Sequence, residues 1–261
     1  MAQLSALFIS SLGIHGMTDS HQFDELLRNW PYEVDALGVR RVTCADDREV
    51  LQMRVDMGVL QLELEGRPDG TSPDGFVTFY DYLLGEFRRY GDEMVLDDDQ
   101  CNEVDREFIQ FYQRRICWLR LQEYHNAVRD AEHTLRLMDF CRKHSPDEEW
   151  TLSHEQQRPF VLFHRTQAAA LLLIEESGPD TAISEINKGL DELRTVFEEF
   201  EVEYQYETDE FVARLQEFRE ALRTEYEVGR TLNERLEDAV AAEQYELAAQ
   251  LRDELAKRRK P

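Results

Sequence analysis

Basic residues are scarce in this chain of 261 residues: 30 Lys and Arg stand against 55 Asp and Glu, a formal net charge of −25. Nucleic-acid affinity comes from Lys and Arg displacing counterions from phosphates, so most of this surface would repel a phosphate backbone. Acidity of this size favours solubility and a basic or neutral partner surface. Glycine is thin, 12 residues spread along the chain, and nowhere does it form the GxxxxGK[ST] loop that cradles nucleotide phosphates. The four cysteines, Cys44, Cys101, Cys117 and Cys141, include no CxxC pair. That argues against a structural zinc site, and nothing demands an oxidising compartment. Long apolar runs are missing too. Residues 4–14 are too few to span a bilayer and follow no basic residue, so neither a membrane span nor a secretory signal is expected.

Chemistry is equally thin. His125 and His133 are eight apart, and His144, His154 and His164 ten apart, whereas two ligands on one helix turn need four. Ser10 and Ser11 lack a nucleophile elbow. The many carboxylates read as solvated helix faces. No catalytic residue, metal site or cofactor is expected, and the chain reads as a non-enzyme of the cytoplasm.

What is present, 42% apolar and 33% charged residues, suits long solvated helices in one large or two modest domains. Residues 1–20 are expected to be poorly ordered and 21–95 to form a small α+β region. Residues 96–228 should be helical, and 229–261 a separate helical hairpin. A short helix around residues 23–30 ends at Pro31. In residues 38–64, Leu51, Met53, Val55, Met57 and Val59 alternate with polar residues, a period of two that slips at Leu60. Gly58 at the slip predicts a bulge or tight bend within an antiparallel sheet of two or three strands. From Phe76 the spacing becomes helical through Phe87, and residues 97–99, three aspartates, should open the next helix.

The centre reads as paired helices. RLQEYHNAVRDAEHTL resembles a tetratricopeptide repeat, with Tyr124 before the second helix and Ala127 and Ala131 where helices approach closely. A second candidate spans residues 160–200 with Ala182 in the matching place. An unrelated helical hairpin bundle accounts equally well for this spacing. Phe211, Leu215, Phe218, Leu222 and Tyr226 then form an amphipathic helix that should stop at Gly229.

In the last thirty residues Thr231 and Glu234 form a capping box. Leu232, Leu236, Ala239 and Val240 mark one helix face. Tyr245, Ala248, Leu251, Arg252 and Leu255 mark a second, with the reversal near Glu243 and Gln244. So short a hairpin buries little area and should be marginal alone. The run Tyr245-Glu246-Leu247-Ala248-Ala249-Gln250-Leu251-Arg252-Asp253, followed by Leu255, closely resembles the UVR motif of the excinuclease subunits UvrB and UvrC. It departs from that pattern at Ala239, where many members carry Met. Residues 50–70 more weakly resemble a stretch of bacterial UVR-motif proteins.

The resemblance implies a protein-interaction module in a bacterial cytoplasm, and no catalysis. It implies docking through Leu236, Tyr245, Glu246, Ala248, Ala249, Leu251, Arg252, Asp253 and Leu255. The expected partner is another protein, one carrying a UVR motif or a second copy of this chain joined through the tail; nucleic acid and membrane are not expected. The alternatives are a hairpin packed only on its own body, and a DNA-repair accessory that contacts UvrB/UvrC-type partners, or nucleic acid through residues 257–260.

Overall fold

A computed structural model describes residues 21–258. The first twenty residues, expected to be poorly ordered, lie outside the described part, as do Arg259 and Lys260 of the basic terminus. The chain is mainly α-helical, with one small antiparallel sheet near its start. Helix α1 (His21–Asn29) leads into strands β1 (Val39–Thr43), β2 (Glu49–Val55) and β3 (Gly58–Glu63), in the order β1-β2-β3. Val55 pairs with Gly58, so the slip in the alternation is a two-residue hairpin turn at Asp56 and Met57 and not a bulge. A turn reverses the chain and swaps its faces, which shifts an alternating pattern by one just as a bulge does.

The sheet packs on the helices through Leu51, Met53 and Leu62, against Cys117, Trp118, Ala127 and Ala168. Polar ties hold it there. The buried Arg114 guanidinium meets both carboxylate oxygens of Asp130 at 2.7 and 2.9 Å and donates to the carbonyls of Glu63 and Gly66. Trp118 donates to the same carboxylate.

Helix α2 (Phe79–Tyr90) starts three residues later than the Phe76 periodicity suggests, with Thr78 as its N-cap. The buried carboxylate of Glu107 accepts from the backbone N–H groups of Phe79 and Tyr80, a charge placed at the positive end of that helix. Helix α3 (Asp98–Arg120) opens on an Asp97–Gln100 capping box, as the aspartate run anticipates. Gln122, left-handed at φ 61°, turns the chain into α4 (Tyr124–His144). The polar stretch that follows contains a helix of its own, α5 (Glu148–Glu155).

Helices α6 (Arg158–Glu176) and α7 (Pro179–Glu199) form the second pair, with Gly178 at φ 90° between them. Ala127 and Ala182 are both fully buried. At the α6–α7 crossing a Cβ on Gly189 would stand 2.2 Å from Thr166 Oγ1, so only glycine fits. The acidic connection after α7 is less solvated than its composition suggests, because Tyr206 is buried in a 3-10 turn over residues 203–208 and donates to the Leu190 carbonyl. Helix α8 (Glu210–Tyr226) completes the main core with Val212, Leu215 and Leu222. It is stopped by Glu227 in the left-handed conformation and not by Gly229.

Candidate docking hairpin

The last two helices are α9 (Leu232–Ala241) and α10 (Tyr245–Arg258). The capping box forms: Thr231 Oγ1 accepts from the Glu234 backbone N–H, and the Glu234 carboxylate accepts from the Thr231 N–H at 2.7 Å. At the other end Glu243 is left-handed, φ 55°, and the Gln244 N–H reaches back to the Ala239 carbonyl at 2.7 Å. This is a Schellman closure with glutamate where glycine is usual. The reversal falls where the sequence places it.

Small side chains close the seam. Ala239, Ala248 and Leu251 are buried, with Leu232 and Leu236 half-buried against them. Ala239 lies inside this seam, where its small side chain lets the two helices come together closely.

The nine residues singled out from sequence therefore divide. Leu236, Ala248 and Leu251 pack within the hairpin. Tyr245, 69% exposed, and Glu246, Ala249, Arg252 and Asp253 face solvent. Arg252 and Asp253 form an exposed pair at 3.0 Å. The side chains of Leu255 and of residues 257–258 lie outside the described part. Val240, which the spacing sets on one face with Leu232, Leu236 and Ala239, is 53% exposed, and Leu247, not among the nine, is 38% exposed. These two and Tyr245 bracket the reversal, so large apolar side chains stand at the tip while alanines fill the seam.

The join to the body is polar. Glu234 meets Arg223, and Arg219 at 3.9 Å, both from α8, while Arg230 pairs with Asp238. Burial would raise the Glu234 carboxyl, but hydrogen bonds from Arg223 and Thr231 outweigh it and hold it below its ordinary value. These ties to the body escape a reading by periodicity; their one sequence sign is the capping box at Glu234.

Three of the spaced histidines make contacts within the body. His133 stacks on Phe111 and meets Glu107 at 2.9 Å, His144 meets the Met94 carbonyl, and His154 meets Asp105. Among the described residues no group of three or more His, Cys, Asp or Glu is placed to hold a metal ion, and no helix is long and apolar enough to cross a membrane. Cys101, Cys117 and Cys141 are buried free thiols, and burial raises the pKa of each.

Compared with known proteins, residues 228–260 match the family described as UvrB/uvrC motif. No curated protein and no solved structure matches the chain. The matched segment spans α9 and all but the final residue of the chain beyond it, and the C-terminal hairpin of this protein is a UvrB/uvrC motif.

Proposed function

We propose that the chain is a non-enzymatic adaptor whose α9–α10 hairpin docks another protein while the helical body carries it. The observation that supports this is the division of the hairpin's side chains. Its seam is closed by Ala239, Ala248 and Leu251 with Leu232 and Leu236 against them, while Val240, Tyr245 and Leu247 remain exposed beside the reversal. Aromatic and aliphatic anchors with solvated charged neighbours are what a helix-in-groove contact uses. The partner carries a UVR hairpin of its own or is a second copy of this chain. The consecutive pairs α3–α4 and α6–α7, closed by Ala127 and Ala182, support a tetratricopeptide-like reading of the body as scaffold.

The test is a calorimetric titration of the full chain against a UvrB-type protein bearing its UVR hairpin, with sedimentation of the chain alone to score self-association. Tyr245→Asp with Leu247→Asp should weaken either contact at least tenfold, about 1.4 kcal/mol or more, with helicity unchanged. Equal affinity in the variant, or neither association in the parent chain, overturns the reading. A salt-sensitive gain of DNA binding in place of both would favour the nucleic-acid alternative.

A further inference from the structure

Among the described residues, one buried cation has neither an anionic partner nor a set of backbone carbonyls around it. Arg115 on α3 is 1% exposed. Its Nη1 donates to Thr134 Oγ1 at 3.2 Å and its Nε to His164 Nδ1 at 3.3 Å. Both acceptors are neutral: burial first, and then the charge of Arg115 itself, push the His164 pKa down to about 3. Nη2 has no acceptor among the described residues, and no carboxylate there stands within ion-pair distance of the guanidinium.

Its neighbours show how unusual this is. Arg114 meets Asp130, Arg67 meets Glu103, and Arg158 meets Glu155 and Asp139. Arg54, also without a carboxylate, is satisfied by four backbone carbonyls. In a chain with 55 acidic residues a buried guanidinium left with a hydroxyl, an imidazole and the Tyr112 ring at 5.8 Å is an exception. Burying an unpaired charge is costly unless something compensates it.

Arg115 borders a pocket of about 350 Å³ between α3, α4, α5 and α6. The rest of the wall is largely apolar: Phe108, Ile109 and Tyr112 from α3, Met138 from α4, Phe160 and Val161 from α6. Ile109, 57% exposed, and Tyr112 bring apolar surface out to the mouth. Thr134, His154 and Gln157 are its other polar members, and a mostly apolar concavity with a few well-placed polar groups is the usual form of a small-molecule site.

We propose that this pocket binds a small apolar carboxylate, its anionic head on the open edge of Arg115 and its hydrocarbon or aromatic part among Phe108, Tyr112, Met138 and Phe160. The volume suits a medium-chain or aryl carboxylic acid. The C-terminal carboxylate of an apolar peptide presents the same chemistry. Unlike the hairpin contact, this site lies wholly within the body, so either reading can fail without the other.

The experiment uses the full chain. Octanoate is titrated by calorimetry and thermal shift beside octan-1-ol and octylamine, and an acetylated tetrapeptide ending in phenylalanine beside its C-terminal amide. The expected result is one octanoate per chain with a saturable rise in Tm. Octan-1-ol should bind at least tenfold more weakly and octylamine not at all. Binding of the peptide acid but neither octanoate nor the amide supports the site with a polypeptide terminus as the source. Ile109→Glu, at the exposed mouth, should lower carboxylate affinity at least tenfold while leaving the circular dichroism unchanged. Arg115→Met should erase the preference of octanoate over octan-1-ol; where that variant does not fold, the Ile109 variant alone decides. Equal binding of octanoate and octan-1-ol overturns the proposal, as does no binding of either acid at millimolar concentration.

Discussion

The α6–α7 pair of the body and the α9–α10 hairpin are both two helices joined by a turn of two or three residues, yet they close in opposite ways. The α6–α7 pair turns on a glycine and buries large side chains, among them Phe163, Ile183, Ile186 and Leu193, with a crossing tight enough to require Gly189. The hairpin turns on a left-handed glutamate, buries two alanines and one leucine with Leu232 and Leu236 half-buried against them, and leaves Val240, Tyr245 and Leu247 exposed. One pair is held by area; the other depends on caps and ion pairs, with little area of its own. A module of the second kind keeps its bulky side chains available to a partner, and association would add the burial that it lacks.

The difference can be broken by substitution. Leu193→Ala removes a fully buried side chain of the body core and should cost about 3–4 kcal/mol, lowering the main thermal transition by roughly 10 °C. Leu251→Ala empties the hairpin seam at a cost of about 2 kcal/mol. Hydrogen exchange should speed up throughout α9 and α10 while the main transition stays within a degree. A fall in that transition like the one expected for Leu193→Ala would mean that hairpin and body unfold as one unit.

Thr231→Ala removes the N-cap and should weaken α9 by about 1 kcal/mol, read as faster exchange at its first turn. The smallest effect concerns pH. The folded-state pKa of Glu234 is lowered, so the unfolded chain binds its proton more readily and the contribution is present above the ordinary 4.5. It should be lost as pH falls from there through the depressed folded value. Exchange of the α9 amides at pH 3.5 against pH 6, corrected for intrinsic rate, should show less protection at the lower pH in the parent chain. Glu234→Gln should flatten that dependence.

Much of this was legible from residue order. Alternation and helical spacing located the sheet and the helices, and the Thr231–Glu234 and Asp97–Gln100 boxes form as the spacing implies. Local rules handled the turns less well. The slip at Leu60 has two physical explanations, and the chain uses the hairpin. Gly229 was the natural stop for α8, but Glu227 takes the left-handed position, a conformation that side chains adopt only at some strain.

The residues proposed for docking divide along the same line. The run of residues 245–253 announces its family because the motif is local, written in consecutive residues of one helix. Which of those side chains the hairpin keeps for itself depends on how α9 meets α10, and that placed Val240 and Leu247 outside and Ala239 inside. Arg115 is the clearest case. In the sequence it stands beside Arg114, two like residues on one helix, with nothing to tell them apart. The fold carries Asp130 to one and an apolar hollow to the other, because partners 16 to 49 residues away arrive only through the packing of α3 against α4 and α6. Local spacing decides which elements form and which motif they spell. The worth of a charge depends on its distant neighbours, and only the tertiary structure supplies those.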